Sequence, residues 1–249
     1  MRKRLLAVFA HPDDEAFGPG GTIAKYASEG VEVHLLCATR GESGKWHEDS
    51  KKMHKRIDMK VHHIREEELE RSAKALGVAR VEYMDFIDGE LCNNLYHKIA
   101  EKIIKKINEF KPQIIITLDR LGISGHIDHI TISMVTTYSF LKTKEPKKLY
   151  YEVMTKEQRA QEERLDDYFI YFPEGYDESQ TTTKIDYSKY WDKKHKAMWQ
   201  HQSQLDDVKA ILKSLQNRPK IDYFILQHYR NVKVKFPETD LFSGIKNSD

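Results

Sequence analysis

Short apolar runs alternate with helical patterns along most of this chain, and that alternation limits the fold more than any other feature. Residues 5–10 (LLAVFA), 31–38 (VEVHLLCA), 81–84 (VEYM), 113–118 (QIIITL) and 149–153 (LYYEV) read as strands one to five. Continuous apolar runs of this length, bounded by charge, glycine or proline, suit strands buried on both faces. Between them lie helical patterns at about 22–28, 57–76, 93–110 and 130–141. In the third of these, Ile99, Ile103, Ile104 and Ile107 share one face at helical spacing. Strand, helix, parallel strand with a right-handed crossover is the unit that such a pattern builds. The expected architecture is therefore α/β: a doubly wound, Rossmann-like, mostly parallel sheet in the order 3-2-1-4-5, with helices on both faces. Residues 155–184 are polar and irregular, with a possible strand at 169–172; 187–202 reads as a helix, and 221–236 as one or two further elements. No internal repeat and no linker interrupts the chain, so residues 1–249 are read as one domain.

Bulk composition narrows the function classes. The 249 residues carry 41 basic and 39 acidic side chains, a net charge of +2, which argues against a nucleic-acid-coating protein. Apolar residues at 39% are enough for a sizeable core. The start MRKRLL imitates a signal peptide, but its apolar run is short and ends in charge, so a buried strand is the better reading. No stretch reaches the roughly 20 apolar residues needed to span a bilayer, and no membrane association is expected. The two cysteines are Cys37 and Cys92; Cys37 sits in an apolar run, as a buried reduced thiol would, which favours the cytoplasm. Oligomeric state is not legible, although folds of this kind often associate and a homo-oligomer is compatible with the sequence.

Chemistry-bearing residues concentrate at two places. His11, Asp13, Asp14 and Glu15 follow strand one, and His126, Asp128 and His129 follow strand four. In the order 3-2-1-4-5 those strands are neighbours where the winding reverses, and loops leaving their carboxyl ends open a crevice there. Two clusters 115 residues apart in the chain (11 to 126) are thus brought side by side. A catalytic zinc takes three protein ligands from His and carboxylates and keeps a fourth position for water. His11, Asp14 and one of His126 or His129 would supply the three. Asp13 is left to accept a proton from the attacking water, and the remaining histidine to stabilise an oxyanion. Either motif alone is more often a turn with helix-capping aspartates; their convergence raises the metal reading above that one.

The residues also resemble a known family. AHPDDEAFGPGG (10–21) is similar to the signature of the LmbE-like, or PIG-L, zinc-dependent N-acetylglucosaminyl deacetylases. TRGESG (39–44), REEELERSAKALGV (65–78), MDFIDGEL (84–91), GHIDH (125–129), KIDYSKYWDKKHKAMWQHQSQ (184–204) and DLFSGI (240–245) resemble further landmarks in the same order. The resemblance implies zinc ligands His11, Asp14 and His129, with Asp13 as general base. It implies that His126 stabilises the oxyanion and Asp128 orients it. Arg65 and Asp88 would contact the sugar, with Arg40 and Glu15 in support. The implied activity is hydrolysis of the N-acetyl amide of a small amino-sugar conjugate. Competing readings are a non-catalytic sugar- or metal-binding protein of the same fold, and a zinc hydrolase of another ester or amide class. Two departures stand out: Ile127 occupies a position where the family usually has proline, and the stretch between Gly44 and Arg65 is longer by about ten residues. That stretch, with Trp46, His47, His54, His62 and His63, is read first as a solvated loop and helix start, and second as a lid over the substrate. His201 is expected to be structural or to support the site from behind, and Tyr187, Tyr190 and Trp191 to be core or subunit contacts.

Overall fold

A computed structural model describes residues 2–44, 60–161 and 173–246. Its first half follows the expected alternation: β1 (Arg4–Phe9), α1 (Asp14–Phe17), α2 (Gly20–Ser28), β2 (Glu32–Thr39), α3 (Val61–Leu76) and β3 (Arg80–Phe86). Then come α4 (Tyr96–Phe110), β4 (Ile114–Leu118), α5 (Gly122–Gly125), α6 (Ile127–Lys142), β5 (Lys148–Val153) and α7 (Lys156–Arg159). The last part holds β6 (Thr183–Asp186), α8 (Trp191–Met198), α9 (Leu205–Leu215) and β7 (Ile221–Tyr229). The sheet runs β3-β2-β1-β4-β5-β7-β6. All pairs from β3 to β5 are parallel, and β7 and β6 add an antiparallel edge.

The central strands are buried throughout because helices cover them: Leu5, Ala7, Phe9, Val33, Ile114 and Ile116 expose nothing. Helices α2, α3 and α8 pack together, and α4 packs on α6. The isoleucine face of α4 is inside as its spacing requires: Ile99, Ile103 and Ile107 are fully buried. Gly77, in a left-handed conformation, closes α3. The approach of α2 to the segment before α8 needs the missing Cβ of Gly21: one built there would lie 2.1 Å from the Tyr187 ring. That contact holds Tyr187 in the core, 1% exposed.

Two expectations change, and one helix was not foreseen. The helix read over 187–202 is broken: α8 ends at Met198, and His201 adopts φ −83°, ψ 60°. The reason is a buried partner, since the His201 ring turns inward to Glu15. The segment 205–215 drew no expectation, yet Leu205, Val208, Leu212 and Leu215 carry the helical spacing that α9 uses. The strand β6 lies in the stretch read as irregular. The suggested strand at 169–172 and the lid residues Trp46, His47 and His54 fall outside the described residues. Among the described residues no helix is long and apolar enough to cross a membrane.

Candidate metal centre

The carboxyl end of β1 turns at once into the HPDD segment, and Asp14 fastens that turn. Its Oδ2 accepts the backbone N–H of Ala10 at 3.0 Å and of His11 at 2.9 Å, which leaves Oδ1 facing His129 Nε2 at 3.2 Å. From the neighbouring strand end, α5 and the start of α6 carry the second motif. His129 Nδ1 lies 3.0 Å from the Gly122 carbonyl. A ring nitrogen facing a carbonyl must donate, so Nε2 keeps its lone pair. His11 is oriented the same way from the other side: its Nε2 lies 2.9 Å from Asp88 Oδ1 and 3.2 Å from Asp128 Oδ2. Its Nδ1 then faces His129 Nε2 at 3.1 Å.

His11 Nδ1 and Asp14 Oδ1 thus both converge on His129 Nε2, and either a cation or a shared proton between them satisfies the arrangement. Ligands at zinc's bond lengths of about 2.0–2.1 Å sit roughly 3.3 Å apart at the corners of a tetrahedron, close to the separations found. The residues fit a divalent cation, and the oxygen acceptors behind the imidazoles, carboxylates for His11 and the Gly122 carbonyl for His129, are the arrangement that fixes the tautomer of metal-binding histidines. The same crowding acts on a proton: burial works against the charged form of His11, but hydrogen bonds to Asp128 and Asp88 and the field of Asp14 push its pKa up to about 10. Asp14 is held well below the usual carboxylate range, where burial is outweighed by His129 and His11. Ligand atoms of His11, His126 and His129 also lie within 4.8 Å of one another, so a set of three imidazoles is the competing choice.

His126 caps α6: its Nδ1 accepts the Asp128 N–H at 3.1 Å. Proline at the first helical position would favour the same turn; Ile127 occupies it here, 54% exposed. Burial, then the charges on His11 and His129, lower the His126 pKa to about 4. A neutral ring whose Nδ1 accepts carries its hydrogen on Nε2 and can donate to an oxyanion. The resemblance implied that Asp128 orients His126. The structure places the Asp128 backbone N–H on His126 and its carboxylate on His11. The carboxylate is itself held by the N–H groups of Gly89 at 2.7 Å and Leu91 at 3.1 Å. Asp128→Asn should therefore weaken metal binding by about 10- to 100-fold, measured by metal titration, with the fold intact.

Asp13 stands beside this group with φ 124°, a strained conformation for a side-chain-bearing residue that costs about 1–3 kcal/mol. Two contacts hold it. Arg65, in α3, donates to its Oδ2 at 2.7 Å, and Glu15 Oε2 accepts its N–H at 3.0 Å. Arg65 also donates to the carbonyls of Pro12 and Gly41. Gly41 is needed for that fit, because a Cβ there would lie 2.6 Å from the guanidinium. Burial raises the Asp13 pKa, Arg65 opposes it and Asp14 adds to it, for a value of about 7. A carboxyl near 7 suits proton transfer at neutral pH. Glu15 is 1% exposed and is fixed by Ser72 and by His201 Nε2 at 2.8 Å. His201 thus supports the site from behind, through Glu15.

The structure gathers His11, Asp13, Asp14, Arg65, Asp88, His126 and His129 around one cavity of about 410 Å³, within the range of small-molecule sites. Asp128 lies behind His11. Arg40 is not brought there: its guanidinium pairs with Asp85 and Glu66 and lies over the Tyr83 ring. Sequence reasoning missed Glu152, Lys194 and Asp222, which line the same cavity. Glu152, a charge within the apolar run of strand five, was the available signal.

Fold and site together define a class: a doubly wound α/β protein with a candidate His/Asp metal-binding group at the switch point of its sheet. Residues 6–139 match the family described as PIG-L, GlcNAc-PI de-N-acetylase. The chain belongs to that family. Similar proteins include the mycothiol S-conjugate amidase of Streptomyces coelicolor, 28% identical over 98% of both chains. Another is the 1D-myo-inositol 2-acetamido-2-deoxy-alpha-D-glucopyranoside deacetylase of Thermobifida fusca, 30% identical over 97% of this chain and 99% of the relative. Among solved structures, the N,N'-diacetylchitobiose deacetylase of Pyrococcus horikoshii superposes with a TM-score of 0.63 at 20% identity, covering 90% of this chain and 84% of that one. The 4-carboxy-2-hydroxymuconate hydratase of Pseudomonas putida KT2440 gives 0.66 at 20% identity over 94% and 99%. These two likenesses show the fold alone, and the second shows that the fold hosts other chemistry.

Proposed function

We propose that the chain is a zinc-dependent deacetylase that hydrolyses the N-acetyl amide of a GlcNAc-type conjugate, such as the glucosaminide named for the Thermobifida relative. The observation that carries this is the convergence of His11 Nδ1, Asp14 Oδ1 and His129 Nε2 beside Asp13 and His126 in one cavity. Those three atoms would hold the ion; two imidazoles and a carboxylate suit zinc and also accept other divalent metals. When bound, the cation lowers the pKa of a water molecule and polarises the amide carbonyl.

The chain's own groups do the rest. Asp13 accepts the proton of the attacking water, with Arg65 fixing the carboxylate. His126 Nε2–H donates to the oxygen that becomes negative as the carbonyl carbon turns tetrahedral. With His126 neutral, the proton returned to the leaving nitrogen comes from Asp13. The C–N bond breaks, the amine departs, and acetate carries away the oxygen taken from water. Arg65 and Asp88 face the sugar, while Arg40, paired elsewhere, acts at most through Glu66 and α3. Cys37 is buried and Cys92 exposed, both unpaired, which fits a reducing cytoplasm. One domain spanning the chain, acting on a small molecule alone or as a homo-oligomer, completes the reading.

The test is acetate release from three N-acetylated substrates on enzyme of measured metal content: 1D-myo-inositol 2-acetamido-2-deoxy-α-D-glucopyranoside, its methyl glycoside counterpart, and N,N'-diacetylchitobiose. Metal-dependent acetate release supports the reading. No acetate from any of them with the metal-loaded protein would overturn it in favour of a binding protein or another hydrolase.

A further inference from the structure

At the carboxyl end of β5 the cavity wall carries a carboxyl group that the reaction leaves unused. Glu152 is 9% exposed, lines the cavity, and has a buried Oε2 with no hydrogen-bond partner. It pairs in register with Leu118 of β4 and Phe224 of β7. It therefore stands on the same sheet edge as the two metal motifs, two strands from β1, or about 10 Å at the usual spacing. Its charged neighbours are already satisfied by the chain. Lys194 Nζ donates to the Gly18 carbonyl at 2.5 Å and lies 3.5 Å from Asp222 Oδ1. Asp222 Oδ2 accepts the N–H and O–H of Thr22 at 2.9 and 2.7 Å. Glu152 packs against Gly18, where a Cβ would lie 2.5 Å from Oε2. Burial, with Asp222 adding to it and Lys194 opposing, raises its pKa well above the ordinary value.

A buried carboxyl oxygen without a partner weakens a fold, so its retention in a cavity wall points to a ligand that completes it. We propose that Glu152 is a specificity-determining residue: it binds a hydroxyl group of the substituent carried by the amino sugar, and so selects polyhydroxylated aglycones over simple alkyl ones. The inference rests on the deacetylase reading above. A hydroxyl is the partner that fits, because it donates to a carboxylate and accepts from a carboxylic acid. The acetyl group cannot fill this place: its one oxygen belongs at the metal centre and its methyl offers nothing polar. Nor does the amino-sugar ring, which that reading sets against Arg65 and Asp88. Asp88 follows β3, and the sheet order puts β3 and β5 on opposite sides of the centre. The aglycone is what remains. Beyond Glu152 the cavity continues between Met154, Ile211, Leu215 and Tyr223, walls suited to the faces of a second ring.

The experiment compares kcat/KM of the metal-loaded enzyme on the inositol glycoside and on the methyl glycoside. In Glu152→Leu the ratio of the two should fall about tenfold, through KM for the inositol substrate, as the loss of one buried hydrogen bond would produce. Glu152→Gln, which keeps a donor and an acceptor, should stay within about threefold of the wild-type ratio. The melting temperature of Glu152→Leu should not fall, because an unpaired buried carboxyl is removed; a purely structural role predicts a fall. An unchanged ratio in Glu152→Leu, or an equal loss on both substrates, overturns the inference. Should that variant fail to fold, Glu152→Met carries the same test, and an unchanged ratio there overturns the inference as well. Wild-type enzyme inactive on both of these and on N,N'-diacetylchitobiose overturns the deacetylase reading itself, whereas activity on the chitobiose alone overturns only this inference.

Discussion

Replacing Asp13 with asparagine should lower kcat by about 10²- to 10⁴-fold, the usual contribution of a positioned general base, while the metal content stays that of the wild type. The two outcomes separate because Asp13 is tied to Arg65 and Glu15, whereas the converging acceptors come from His11, Asp14 and His129. The isosteric change keeps the turn, so lost activity is not lost fold. The pH profile gives the second readout. Asp13 works only when ionised, so kcat/KM falls as pH falls through its pKa. That pKa is raised to about 7 by burial in the chain without a metal, and a cation nearby moves it down. The acid limb should therefore lie below pH 7 and disappear in Asp13→Asn. An active Asp13→Asn enzyme with the limb unchanged would remove this residue from the mechanism.

Removing a ligand should act differently. His11→Ala and His129→Ala should each lose the metal on dialysis and lose activity to the background rate, measured by elemental analysis and acetate release. Each deletes one of two imidazoles whose tautomers are fixed by their other nitrogens, so neither can be replaced by a rearranged neighbour. His126→Ala distinguishes the two ligand sets. If the ion sits on His11, Asp14 and His129, this variant keeps the metal and loses about 10²- to 10³-fold in rate, as the loss of one oxyanion donor does. If the three imidazoles hold it, His126→Ala loses the metal as well. Chelation followed by adding back zinc should restore the wild type but not His11→Ala.

How much of this was legible varies with the range of the interaction. The strands β1 to β5 and their order could be read because each depends on a local apolar run and a handedness rule. The convergence of the HPDD and GHIDH segments followed from that order. The break before His201 could not be read, because it depends on Glu15, 186 residues away. The α9 helix could have been: Leu205, Val208, Leu212 and Leu215 carried the pattern.

Thus the amino-acid sequence by itself determined the doubly wound sheet as far as β5, the crevice at β1 and β4, and the residues of the two motifs that meet there. Only the tertiary structure decided how those side chains divide the work. It put the Asp128 carboxylate on His11 and its backbone N–H on His126, turned Arg40 away to Asp85 and Glu66, lodged Arg65 against Asp13, and left Glu152 Oε2 unpaired in the cavity wall. The physical reason is one of range. Strand order follows from periodicities a few residues long, whereas a hydrogen-bond partner is settled by differences of about an ångström between groups that the chain brings together from far apart.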